Sequence, residues 1–372
     1  MPCLMKALCS LLLTATLTQA EPIHVFFGTG GGESKGIYHA TFDPDKGKLS
    51  KPSLAAEISS PGFLALHPDG TRLYAVGKTP NGPGVAAYAI HEGGKLILLN
   101  TAPTGDGGGA HVAVHPSGKC LLTAQYGGGS VALFGLESDG KLSGPATVTK
   151  HEGGSRVVPG RQESPHPHYC GFSPDGQYAF VPDLGMDGIV IYKIDSDKPA
   201  ITKHGFAASV AGGGPRHMRF SVDGKFIYLL NEMALSVTTF AYDAAEGSTT
   251  LLSTTPALTD ALMAQQTFNS ASEILVHPNG NFVYSANRGN DSVTAYRANP
   301  ETGELAVAEV EPMRGAWPRN INLDPSGKWL LAAGAQSNTV AVFAIDPDTG
   351  ALVFQNNSIV NVPGPICVLF VP

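Results

Sequence analysis

L-A-L-H-P-D-G-T-R-L-Y-A-V, residues 64–76, decides the fold, because five later stretches repeat its plan. These are V-A-V-H-P-S-G-K-C-L-L-T-A (112–124), C-G-F-S-P-D-G-Q-Y-A-F-V-P (170–182), M-R-F-S-V-D-G-K-F-I-Y-L-L (218–230), I-L-V-H-P-N-G-N-F-V-Y-S-A (274–286) and I-N-L-D-P-S-G-K-W-L-L-A-A (321–333). Each joins an apolar run to a second run of residues that suit a pleated surface. Between them lies a turn whose Gly, usually with Pro, sits where turn geometry asks for it. The turn glycines, Gly70, Gly118, Gly176, Gly224, Gly280 and Gly327, recur at intervals of 48, 58, 48, 56 and 47 residues. A strand–turn–strand unit at such a period is the signature of propeller blades.

One repeat shows the whole unit. Phe63 to Leu66 reads as an inner strand, Arg72 to Val76 as a second, Val85 to Ile90 as a third and Leu96 to Thr101 as a fourth. Glu92-Gly93-Gly94 turns the chain between the last two. A four-stranded antiparallel meander cannot bury both faces alone, so neighbouring units must stack. The ends supply one more unit. Val25 to Gly28, Gly36 to Asp43 and Asp45 to Leu49 read as strands two to four of a blade that lacks its first. Gly364 to Val371, near the other end, reads as a lone first strand. Joining them closes a ring of seven blades and removes its exposed edges. Six or eight blades would require a misread terminus. The expected fold is therefore all-β: a seven-bladed propeller of four-stranded antiparallel blades, closed by N- and C-terminal strands in one blade.

Composition sets further bounds. The chain has 372 residues, 42% of them hydrophobic, which suits one large domain with a sizeable core. A formal charge of −7 with no basic block argues against nucleic acid as a partner. Residues 1–20 differ from the rest: Lys6, an apolar run from Ala7 to Leu17, then Thr18-Gln19-Ala20 with small residues where a signal peptidase cuts. The expectation is a secretory signal at 1–20 and a propeller domain at 21–372. The mature chain would be periplasmic or secreted, with no membrane insertion after cleavage. Cys120, Cys170 and Cys367 show no metal-type spacing and read as small buried hydrophobes, with a pair left open. Oligomeric state is not legible.

Register turns the repeat into a site. Seven or eight residues before each turn glycine the inner strand begins; seven or eight after it, the second strand ends. In a hairpin both points meet at one end. That rim therefore carries His111, His168, Asp183, Arg216, His217, Glu232, Glu273, Arg288 and Arg319 around the central channel. His67, His115 and His277, inside the turns, belong to the opposite rim and to structure. Asp183, Asn231 and Asn287 close strands, where holding a loop competes with chemistry. In Pro165-His166-Pro167-His168 alternate side chains face opposite ways, and register turns His168 to the channel. Lys150 to Ser164 lengthens that repeat into a candidate lid. His111, His168, His217 and Glu232 could converge as metal ligands, but the arginines beside them oppose a cation, so no metal or cofactor is expected.

Several of these motifs together resemble a known family. They are G-T-G-G-G-E-S-K-G-I-Y (28–38), A-Q-Y-G-G-G-S-V (124–131), R-Q-E-S-P-H-P-H (161–168), F-V-P-D-L-G-M-D (180–187), G-G-P-R-H-M-R-F (213–220), L-N-E (230–232), S-A-N-R-G-N-D (285–291) and W-P-R-N (317–320). The chain is similar, from about Val25 onward, to the seven-bladed propeller lactonases, whose members include bacterial 6-phosphogluconolactonase and the fungal carboxy-muconate lactonising enzyme. The resemblance implies lactone chemistry without a metal. It places the site at His168, with His166 near it, and at Glu232, Arg216 and Arg288. Pro182 departs from the small residue usual before Asp-Leu-Gly. The export signal also sits uneasily with a phosphorylated sugar lactone, a cytosolic metabolite.

The expected reaction is hydrolysis of a sugar-type lactone. Glu232 or His168 would take a proton from water and the other would protonate the leaving oxygen, the order left open. Arg216 would face the oxyanion. His111, His166, Asp183, His217, Glu273, Arg288 and Arg319 would bind substrate, with Arg288 and Arg319 gripping a carboxylate or phosphate. No G-x-S-x-G elbow is present, which argues against a serine nucleophile. Two other readings stay open: a cycloisomerase using the same groups, and a non-catalytic binding module, against which the charged mouth argues.

Overall fold

The structure, a computed structural model, describes residues 21–371; the expected signal at 1–20 and Pro372 lie outside the described residues. Among them, seven antiparallel sheets surround one axis. Blade 1 spans residues 64–103, blade 2 111–150, blade 3 171–208, blade 4 215–256, blade 5 270–312 and blade 6 318–361. Blade 7 is composite: Pro365–Val371 pairs with Ile23–Thr29, which pairs with Gly36–Asp43. The closing register sets Val25 against Phe370 and Phe27 against Val368, as the terminal sequences require. The outer strand of this blade differs from expectation. Lys48–Leu49 is only its first piece, and Ser53–Glu57 supplies the rest, also on Gly36–Asp43.

The core is a ring of seven apolar clusters, one between each pair of neighbouring blades. Strand alternation builds it: in Ile23–Thr29, Val25 and Phe27 pack toward blade 6 while Phe26 packs toward blade 1. All three are fully buried, and burying a side chain of this size contributes about 1.5–3 kcal/mol. Cys120, Cys170 and Cys367 are free thiols, buried in or beside these clusters.

The two long intervals in the repeat are now accounted for. They hold residues 151–164, between blades 2 and 3, and residues 257–269, between blades 4 and 5, which include the short helix Asp260–Met263. Both join an outer strand to the next inner strand, so both lie on the rim where inner strands begin. The insertion at 151–164 is anchored by Gln162, fully buried, whose amide donates to Leu184 O and Asp187 Oδ1.

Candidate functional site

Three neighbouring blades bend their inner strand at the same height. Pro215 faces Asn231 while His217 faces Leu230, which leaves Arg216 as an extra residue. Pro318 faces Gly334 while Asn320 faces Ala333, which leaves Arg319 extra. Between them, the register of Ser270–Val276 slips across Ser272 and Glu273. In a regular strand, adjacent side chains point to opposite faces; a bulge cancels that alternation locally. Arg216 and His217 can therefore line the same cavity. In blade 3 the approach is made by an irregular segment: Pro167 bridges to Asp183, and the His168 amide donates to Pro182 O at 3.1 Å. Glu232 follows Phe226–Asn231 directly, its amide held by Gly214 O at 2.7 Å.

These side chains surround a two-level cavity at the channel mouth. The upper level is a cup of about 580 Å³, with Lys78, Tyr126, His168, Glu232, Arg288 and Arg319 in its wall. Below it lies a chamber of about 130 Å³, lined by Phe63, His168, Arg216, His217, Arg319 and Ile366. Gly109, Ala110, His168 and Arg319 belong to both levels.

Glu232 organises the positive charge. Its Oε1 accepts from Arg161 at 3.0 Å; its Oε2 accepts from Arg216 Nε at 2.9 Å and lies 3.2 Å from Arg288 Nη2. Burial alone would raise the Glu232 carboxyl, but Arg216, Arg288 and Arg161 outweigh it and hold the carboxyl below its usual value. Arg216 also donates to Ser272 O. Burial, then repulsion from Arg288 and Arg319, lowers Arg216 to about 9, so it stays charged at neutral pH. Arg288 donates to Ala271 O at 2.8 Å and lies over the ring of Trp317, 5.6 Å from its centroid. Trp317 holds φ at 62°, costly for so bulky a residue, and its amide is fixed by Asp291 at 2.8 Å. Arg319 differs from the others: half-buried and lining both levels, it makes no hydrogen bond or ion pair among the described residues.

The imidazoles are neutral for a common reason. Burial first, then nearby cations, pushes His168 and His217 well below the ordinary value of 6.5; for His111 it is burial, then His217. His217 Nδ1 meets Glu273 Oε1 at 3.0 Å.

The structure separates residues that the register grouped together. His168, Arg216, His217, Glu232, Arg288 and Arg319 line the two levels. Asp183 does not, which corrects its expected substrate contact: it is fully buried, and its oxygens meet His151 Nδ1 at 2.6 Å and the amides of His166, Gly185 and Met186. It holds a corner of the chain. His111 also lies off the cavity, under the floor between the rings of Phe63 at 4.1 Å and Tyr169 at 4.3 Å. His166 stacks on Tyr126 at 4.5 Å and supports the wall from behind. Glu273 reaches the chamber only through His217. Arg161 and Lys78 were not singled out from the sequence. The signal for Arg161 was its place in the long interval beside the P-H-P-H segment; Lys78 stood in the forward register column and passed as a rim charge. Among the described residues, no cluster of three or more His, Cys, Asp and Glu side chains is arranged to hold a metal ion.

Comparison with known proteins agrees with this architecture. Residues 17–370 match the family model described as lactonase, 7-bladed beta-propeller. A 6-phosphogluconolactonase of Bacillus subtilis is 35% identical over 341 residues, 91% of this chain and 95% of its own. A crystal structure from Bacteroides uniformis superposes with a TM-score of 0.86 at 34% identity, covering 95% of this chain and all of the other. A periplasmic gluconolactonase of Pseudomonas aeruginosa superposes with a TM-score of 0.86 at 29% identity, covering 95% of this chain and 99% of that one.

Proposed function

The chain belongs to the seven-bladed β-propeller lactonase family, and from that premise we propose that it hydrolyses the ring ester of a sugar-type lactone bound in the cup. The observation that carries this reading is the uncommitted guanidinium of Arg319 at the junction of the two levels. Ester opening passes through an oxyanion, and a fixed cation in a largely dry site stabilises that charge more than water does. Arg216, expected to play this part, has Nε on Glu232 and Nη1 on Ser272. Arg319 has its donors free for the substrate carbonyl.

The rest of the cup divides into two duties. Lys78, Arg161 and Arg288 rim the upper level and suit the hydroxyls or the anionic tail of a sugar acid. His168, neutral and at the junction, suits a hydrogen bond to the ring oxygen. Glu232 is better read as the counter-charge that holds three arginines in place than as a base. Its oxygens are occupied and its carboxyl is held low, which weakens it as a proton acceptor. Two lactones fit this cup. The name of the Bacillus relative favours a 6-phosphate; the name of the Pseudomonas neighbour favours plain gluconolactone. Export of a mature chain starting near residue 21 belongs to the second case and rests on the signal-like pattern of residues 1–20.

The test is a direct assay of the purified mature chain on glucono-δ-lactone and its 6-phosphate, corrected for spontaneous opening. Turnover of at least one is expected, and Arg319→Ala lowers kcat/KM by about 10²–10³-fold, the usual cost of losing an oxyanion donor. Failure to open either lactone faster than buffer overturns the reading. N-terminal sequencing of the exported protein checks the cleavage site.

A further inference from the structure

We propose that His217, oriented by Glu273, is the general base of the reaction, and that the chamber beneath the cup holds the water it activates. This rests on the lactone-hydrolase reading above and adds a catalytic group that the resemblance to the family does not supply.

The argument begins with Glu273. It is fully buried, and both its oxygens are engaged. Oε1 accepts from the Ile274 amide at 3.0 Å, from Arg219 at 3.1 Å and from His217 Nδ1 at 3.0 Å; Oε2 accepts from Asn320 at 2.6 Å. These donors come from blades 4, 5 and 6, so the carboxylate cannot swing away. A carboxylate facing Nδ1 fixes the proton there and leaves the lone pair of the imidazole on Nε2. Nε2 is buried and finds no partner in the protein. A buried acceptor of this kind calls for a specific explanation. Here it belongs to a ring that lines a chamber whose other polar walls are His168, Arg216 and Arg319. At roughly 30 Å³ per molecule, 130 Å³ has room for a few waters and not for a sugar ring. The chamber shares Arg319 with the cup, so a carbonyl bound to Arg319 from above is open to attack from below.

The step balances. The water oxygen bonds to the carbonyl carbon as its proton passes to Nε2; the carbonyl becomes an oxyanion facing Arg319. Collapse breaks the bond to the ring oxygen, which takes the proton back from the imidazolium. The dyad ends as it began, and Glu273 stabilises the transient imidazolium without itself being protonated. A second pair of the same type, His151 with Asp183, opens on a side cavity lined by Lys150, Tyr192 and Lys203 that shares no wall with the cup. It has no access to substrate.

The experiment compares wild type with His217→Gln and Glu273→Gln on whichever lactone the wild type opens. Removing a general base lowers kcat by about 10²–10⁴-fold with KM within about threefold. His217→Ala should regain part of its rate with added imidazole, which a merely structural role would not allow. A folded His217→Gln that keeps kcat within about threefold of wild type overturns the dyad while leaving lactone hydrolysis standing. A wild type that opens neither lactone removes both. If neither variant folds, nitrogen NMR of histidine-labelled wild type decides: the proton of His217 is expected on Nδ1, and a proton on Nε2 overturns the assignment.

Discussion

On the turn rim, His67, His115 and His277 each place Nε2 on the carbonyl of the next blade's turn glycine, Gly118, Gly176 and Gly327, at 3.1, 2.8 and 2.7 Å. Their Nδ1 atoms accept from the amides of Asp69, Ser117 and Asn279 at 3.2, 3.1 and 3.2 Å. Both ring nitrogens are spent, three times over, on the same task of tying one blade to its neighbour. On the site rim, the same strands end in His168, Arg216, Glu232, Arg288 and Arg319, a different group on almost every blade. Here the register is bulged, loops of unequal length are inserted, and polar atoms such as His217 Nε2 are left without protein partners. Repetition carries the closure of the ring; departure from repetition carries the chemistry.

That contrast can be broken by substitution. The largest effect is expected at Glu232. Glu232→Gln removes the carboxylate that three guanidiniums share, and breaking a buried ion pair from one side costs about 3–5 kcal/mol. Both the urea midpoint and lactone turnover should fall, since the arginines lose the group that spaces them. Wild-type turnover in this variant would show that the arginines hold their places unaided. On the turn rim, His277→Ala should cost about 1–3 kcal/mol of stability for the buried carbonyl left unpaired, with turnover within about twofold. Loss of activity at unchanged stability would invert the comparison.

Acid should separate the two rims further. His111, His168 and His217 titrate well below 6.5 in the folded protein, whereas in the unfolded chain they titrate near 6.5. The unfolded state thus binds protons first. The stability these groups contribute is fully present above 6.5 and is lost as pH falls from there toward their folded values. The urea midpoint should hold near about pH 7.5 and drop by about pH 5. A constant midpoint over that range would mean that these imidazoles accept protons without cost. The smallest effect is expected at Arg161, about a third exposed on the insertion. Arg161→Ala should raise KM a few fold, within about 1 kcal/mol, and leave stability unchanged.

The repeated hairpin from residue 64 onward determined the blade count, the closure by residues near both ends and the rim on which the polar groups gather. Each follows from local physics: turn glycines set the hairpins, strand alternation sets the buried faces, and equal counts about a turn set the height of a side chain. Only the tertiary structure decided which rim residues meet. A bulge at Arg216 or Arg319 leaves no mark in the period, because one extra residue is lost in intervals that already vary from 47 to 58. Asp183 and His217 stand at equivalent heights, yet one is consumed by a chain corner and the other faces the chamber, since their partners come from distant stretches of sequence. Arg161 reached the site because a loop folded back over the mouth. Local sequence fixes a side chain's height on its own blade; which group it faces depends on how neighbouring blades stack.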